Sequence, residues 1–167
     1  MASRRRDSYF DDAAKEVFAA GRRTSRVYNN LDIVWTHPSG ASIYVGNINA
    51  AQTRSILDSH NVTHVVNCQD VKSRNFFEKD PKMSYFRFPV SYWWRAPGMD
   101  TDEGVLAFFA PLFGWITAAL EKGCNVMVHC LAGAHRAGTT GPVCIPWVLL
   151  SVVTDFGHAF ILTGSRA

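Results

Sequence analysis

Paired cysteines and long apolar runs are both missing from this chain of 167 residues, and each absence closes off a class of protein. Cys68, Cys124, Cys130 and Cys144 show neither the spacing of a disulfide framework nor a Cys-x-x-Cys zinc pair. A reducing setting, cytoplasmic or nuclear, is therefore expected. No helical pair of histidines and no carboxylate cluster offers a ligand set, so neither a metal nor another cofactor is expected. The longest apolar run, residues 143–153, is too short to span a bilayer. Arg4, Arg5 and Arg6 are followed by acids rather than by an apolar core, so neither a secretory signal nor a membrane span is expected. Charge of one sign is also scarce, with a net of only +3.

A composition that is 47% hydrophobic and 19% charged predicts a single globular domain with a real core. Short apolar strands at 31–35, 42–45, 62–68 and 84–90 alternate with helical patterns, which argues for an α/β fold around a mostly parallel sheet flanked by helices. His37-Pro38-Ser39-Gly40 turns the first two strands. Asn47 caps a helix that buries Ala50, Ile56 and Leu57 and ends near Asn61. Residues 71–83, broken by Asp80-Pro81, predict a short helix and loop. A helix over 102–121 is expected to bury Val105, Leu106, Phe109, Leu112, Phe113, Ile116 and Leu120, with a bend near Ala107 caused by Pro111.

Everything turns on residues 125–138, NVMVHCLAGAHRAG. The apolar run Val126, Met127, Val128 delivers His129 and Cys130 onto a loop of small residues that Arg136 closes as a helix begins. Leu131, Ala132, Gly133, Ala134 and His135 span the gap, and such a loop can wrap its amides into an anion nest for a tetrahedral oxyanion. The helix N-terminus adds its dipole, and Arg136 supplies a planar fork for two phosphoryl oxygens. Cys130, at the floor of that field, is expected as a nucleophilic thiolate at neutral pH. His129, on the strand, fits a residue that orients the loop rather than a base or a metal ligand.

HCLAGAHRAG resembles the H-C-x5-R signature of the cysteine-dependent phosphatases, and HCLAG resembles the dual-specificity branch. IYVGNINAAQTRSILDSHNVTHVVNCQD, residues 43–70, is similar to the opening strand, helix and second strand of that domain. The resemblance runs from about residue 43 to about 153. It implies a metal-independent hydrolysis of phosphotyrosine and phosphoserine or phosphothreonine on proteins through a phosphocysteine, with a phosphoprotein as partner and a catalytic domain over residues 31–167.

The family places its proton donor on a loop about thirty residues before the cysteine. Here that loop is residues 91–104, SYWWRAPGMDTDEG, and Asp100 lies at the matching distance. Asp102 is the alternative, although Asp102 and Glu103 also read as acids of a helix start and Asp100 as an N-cap paired with Glu103. Counted from the preceding strand, the acid's position is taken by Tyr92. Trp93 and Trp94 either rim the pocket or anchor the loop to the core.

Three departures bear on function. Ala137 stands where the family carries a hydroxyl that assists the departing thiolate; an alanine there resembles the regenerating-liver phosphatases and implies a slow second step. Cys68 reads plainly as a half-buried strand residue, but superfamily phosphoinositide phosphatases carry a cysteine at a similar strand end that forms a reversible disulfide with the nucleophile, which makes Cys68 and Cys130 a candidate pair. Beyond Val153 the resemblance fades, so a shortened or divergent C-terminal helical region is expected, with Phe160, Ile161 and Leu162 exposed.

Residues 1–30 read as an extension with an amphipathic helix presenting Phe10, Ala13, Ala14, Val17 and Phe18 on one face. Its arginines, Arg4, Arg5, Arg6, Arg22, Arg23 and Arg26, lack interleaved aromatics, so nucleic acid is not the expected partner. A weakly catalytic phosphoprotein-binding module, or a phosphatase of RNA ends or phosphoinositides, stays open as an alternative. Oligomeric state is not legible.

Overall fold

The structure, a computed structural model, describes residues 29–163, with side chains as far as Leu149. The helix expected in the N-terminal extension, its arginines, and the side chains of Phe160, Ile161 and Leu162 lie outside the described residues.

Five strands form one sheet: β1 (Leu31–Thr36), β2 (Ser42–Gly46), β3 (Val62–Asn67), β4 (Ser84–Arg87) and β5 (Asn125–His129). Their spatial order is β1-β2-β5-β3-β4, with β1 antiparallel to β2 and every other pair parallel. Only β1 and β2 are joined by a tight turn, where Gly40 adopts φ +90 and its N–H donates to the His37 carbonyl at 2.8 Å. The parallel neighbours need crossovers, and helices supply most of them.

Two helices, α1 (Ile48–Gln52) and α2 (Arg54–Ser59), cover one face, and two more, α3 (Asp102–Glu121) and α4 (Arg136–Thr163), cover the other. Central strand β5 shows why its sequence is continuously apolar: Val126 and Val128 face α3 and α4 while Met127 faces α1 and α2, all three fully buried. Asn125 stitches its lower end, accepting from the Ser42 amide at 2.8 Å and donating to the His60 carbonyl at 2.7 Å.

Several local expectations change. The single helix expected to end near Asn61 is broken at Thr53, whose extended backbone (φ −105, ψ 101) separates α1 from α2. Asn47 does cap α1, accepting from the Ala50 amide at 3.1 Å. Residues 71–83 form turns without a helix, because Asp70 and Asp80 accept from the Lys72 and Lys82 amides and hold the chain in Asx turns. Strand β4 stops at Arg87, and a 3-10 helix (Val90–Arg95) follows Pro89.

Helix α3 spans the expected residues and runs on through Pro111, which is exposed. It is long and apolar enough to cross a membrane by length and composition, but it packs Leu112, Phe113, Ile116, Ala119 and Leu120 onto the sheet. Val105 and Leu106 are exposed rather than buried. Helix α4 continues through Pro142 and Pro146, both of which lie beyond its first turn.

Candidate active site

The upper end of the sheet, where the parallel strands finish, gathers the residues singled out from the sequence. His129 closes β5, Cys130 follows it, and Arg136 opens α4, so the order strand, cysteine, loop, arginine, helix is realised. Cys130 is 2% exposed. The Gly133 amide donates to its Sγ at 3.3 Å, so at least one N–H of the loop turns inward onto sulfur. Gly133 has φ +80, the left-handed region that lets the loop reverse.

Two contacts hold that loop against the neighbouring strand end. The Ile48 amide, at the start of α1, donates to the Leu131 carbonyl at 3.1 Å. A Cβ placed on Gly133 would stand 3.1 Å from the Gly46 carbonyl group and 3.3 Å from the Asn47 nitrogen. Leu131, Ala132, Gly133 and Arg136 are half-buried; Ala134 and His135 are exposed at the rim. The His135 carbonyl accepts from the Thr139 amide at 2.9 Å, starting the helical ladder of α4.

His129 is fully buried, and burial pushes its pKa down to about 4, helped by the Arg87 and Arg136 charges and opposed by a contact with the Cys130 backbone. It is a neutral imidazole at physiological pH. Neither ring nitrogen makes a hydrogen bond of good geometry among the described residues.

Cys68 extends β3 beside Cys130, its amide donating to the His129 carbonyl at 2.8 Å. It is fully buried rather than half-buried. Burial pushes its thiol pKa well up; the nearby Thr140 hydroxyl and Arg136 oppose the shift, while Cys130 and Cys144 add to it. Cys144, a further buried thiol that sequence reasoning left unused, donates to the Thr140 carbonyl at 3.1 Å, and burial raises its pKa to about 12. Ala137 is buried with no hydroxyl to offer, whereas Thr139 reaches the mouth of the site.

Over the loop opens a cleft of about 280 Å³, lined by Val90, Ser91, Trp93, His135, Arg136 and Thr139. Trp93, 49% exposed, belongs to this rim rather than to the core. Trp94 is also exposed, with the Arg95 guanidinium 4.8 Å over its ring. The same Arg95 sits 4.9 Å over Tyr92.

Among the described residues no carboxylate lines this cleft. Asp100 is exposed on the turn ahead of α3, and Asp102 is exposed in its first turn. Neither caps the helix: Thr101 is the N-cap, its hydroxyl oxygen accepting from the Gly104 amide at 3.1 Å. Cys130 and the loop with Arg136, His129 and Cys68 are thus brought together, and the two aspartates stand apart. Trp93 takes the first of its two expected places, the rim, whereas Val90 and Ser91 are lining residues that the sequence did not single out; Thr139 lies one helical turn past Arg136, a spacing that points it to the same side. Among the described residues no three His, Cys, Asp or Glu side chains converge as a metal site.

Comparison with known proteins gives a consistent picture. Residues 43–153 match the family described as "Dual specificity phosphatase, catalytic domain". Dual specificity protein phosphatase 13B of Homo sapiens is 30% identical over 124 residues, 70% of this chain and 56% of that protein. Dual specificity protein phosphatase 9 of Homo sapiens is 29% identical over 98 residues, 59% of this chain and 23% of that protein. Dual specificity protein phosphatase 22 of Xenopus tropicalis is 29% identical over 125 residues, 75% of this chain and 52% of that protein. The chain therefore spans between 23% and 56% of the length of these relatives.

Proposed function

The chain belongs to the dual specificity phosphatase catalytic-domain family, and on that premise we propose that it hydrolyses phosphomonoesters on phosphoproteins, with Cys130 as the nucleophile. The observation that carries this reading is the Gly133 amide turned onto the Cys130 sulfur in a loop whose closing residues, His135 and Arg136, line a cleft. A sulfur so placed meets phosphorus from below while the loop amides and the Arg136 fork hold the equatorial oxygens.

In the first step the Cys130 thiolate forms an S–P bond as the P–O bond to the substrate breaks. The departing oxygen takes a proton from Asp100, with Asp102 as the alternative donor. Loop 91–101, with the first turn of α3 for Asp102, has to fold over the cleft to bring either carboxylate in. Water then attacks the phosphocysteine, giving its proton back to the same carboxylate, and inorganic phosphate leaves as the thiolate is restored. His129, neutral and packed behind the sulfur, orients the loop without exchanging protons. Leu131, Ala132, Gly133, Ala134 and His135 contribute the cradle.

Oxidation offers Cys130 a second fate. Peroxide converts the thiolate to a sulfenic acid and hydroxide; the Cys68 sulfur then attacks it, forming a disulfide and releasing water. Reduction by a cellular dithiol restores both sulfurs.

A cleft with no carboxylate among its described lining residues and the methyl group of Ala137 favour a second reading, a phosphoprotein-binding module that turns over poorly. Hydrolysis of para-nitrophenyl phosphate by wild type and Cys130→Ser, followed through the first turnover, separates them. A burst followed by slow release supports the enzyme with a sluggish second step. No burst, with phosphopeptide binding retained, supports the binding module and overturns the catalytic reading.

A further inference from the structure

A second cleft, of about 620 Å³, lies on the α2 side of the sheet between that helix and the β3–β4 connection. Its lining includes Arg54, Ser73, Arg74, Phe76, Lys79 and Arg87. None of these belongs to the machinery around Cys130.

Charge pairing within this cleft is uneven. Arg54 is paired with Asp58 at 2.8 Å and with Asp80. Arg74, Lys79 and Arg87 meet no carboxylate within ion-pair distance among the described residues, and the remaining lining acid, Glu78, accepts from the Asn75 side chain at 2.9 Å. Once Arg54 and Asp80 cancel, three cations face one carboxylate.

Arg87 is the fixed point. Its Nη1 donates to the Asp70 carbonyl and the Ser73 hydroxyl, both at 2.9 Å, and its Nη2 to the Ser73 carbonyl at 2.7 Å. These neutral acceptors hold the guanidinium in place while leaving its charge uncompensated, and two of its five N–H groups are still unused. The surrounding loop is tied down as well: Asn67, fully buried, donates to the Asn75 side chain at 2.9 Å and accepts from the Ser73 hydroxyl at 3.4 Å. Arg74 stacks over Phe76 at 5.8 Å. An anchored cation flanked by aromatic faces and two exposed cations is suited to an anionic side chain.

Its location connects it to the first cleft. Arg87 pairs in register with Asn67, which pairs with His129, so Arg87 lies level with the catalytic loop's root and two strands away. Two strand spacings are about 10 Å, which an extended peptide covers in about three residues.

We propose that this cleft is a second anion site, which takes a phosphoryl or carboxylate side chain about three residues from the phosphorylated residue of the same peptide. The proposal rests on the phosphatase reading for the peptide bound at Cys130, and its test is read by binding rather than turnover. Fluorescence polarisation on full-length Cys130→Ser compares phosphotyrosine peptides carrying phosphoserine, glutamate or alanine three residues away on either side.

The anionic peptides should bind about tenfold tighter than the alanine peptide. Arg74→Glu with Lys79→Glu should erase that preference, and Arg74→Gln and Lys79→Ala singly should each cost about threefold. Equal affinities in the Cys130→Ser parent, or a preference that survives the charge reversals, overturns the proposal. So does stronger displacement by a 5′-phosphorylated RNA oligonucleotide, which would reassign the cleft. A peptide preference without para-nitrophenyl phosphate turnover by the native Cys130 chain would sink the phosphatase reading and leave the cleft standing.

Discussion

Replacing Gly133 with alanine tests the geometry of the catalytic loop. Two costs add. A left-handed backbone at φ +80 is disfavoured for an L residue by about 1–2 kcal/mol. The new methyl carbon would also press on the Gly46 carbonyl group at 3.1 Å and the Asn47 nitrogen at 3.3 Å, backbone atoms that cannot rotate away. Crowding of this sort costs about 1–3 kcal/mol. The variant should therefore lose about 2–5 kcal/mol in urea unfolding. Relief of the crowding moves the loop off Gly46, so kcat/KM for para-nitrophenyl phosphate should fall on the order of 100-fold. Gly40→Ala supplies the control: its φ is +90 but nothing lies within 4 Å, so it should carry only the backbone cost, about 1–2 kcal/mol, with turnover intact. A Gly133→Ala protein as stable as Gly40→Ala, and fully active, would refute the packing of loop against strand.

Further outcomes follow from the buried groups and the loop. Burial keeps His129 neutral down to about pH 4, whereas the unfolded imidazole protonates near 6.5; between these values the unfolded chain holds the extra proton, so stability falls as pH drops, by about 3 kcal/mol in all. Urea midpoints for wild type and His129→Asn over that range should converge toward the acid end, and parallel curves would contradict the burial. Cys68→Ala should leave phosphatase activity in place but make peroxide inactivation irreversible by dithiothreitol; recovery equal to wild type would remove Cys68 from the redox step. Asp100→Asn should slow hydrolysis of phenyl phosphate about 100-fold or more while sparing leaving groups that need no proton, and an equal effect on both would discount it as the donor. Ile116→Ala, in the fully buried face of α3, should cost about 2–5 kcal/mol by thermal or urea unfolding, and a loss below that would mean the core relaxes around it.

Local chemistry made parts of this protein legible from residue order alone. The apolar run before His129, the small residues after Cys130 and the arginine closing the loop are contiguous, so their spacing carries the cradle without tertiary information. Strand alternation and the Gly40 turn likewise depend on near neighbours. Thr53 illustrates the limit: no residue in the α1–α2 stretch forbids a continuous helix, yet the chain breaks there while Ala50, Ala51 and Leu57 on either side pack into one core cluster. The exposure of Val105 and Leu106 is equally invisible to a periodicity that only states which residues share a face.

By itself, then, the sequence determined the order strand, cysteine, small-residue loop, arginine and helix, the α/β class and the family resemblance, because each is encoded over a few neighbouring positions. Only the tertiary structure decided that Cys68 lies beside Cys130 and that, among the described residues, no carboxylate lines the first cleft and none pairs with Arg87 in the second. Those facts depend on strand order and on loops meeting from distant parts of the chain, and a contact between residues far apart in sequence leaves no periodic trace for local reasoning to find.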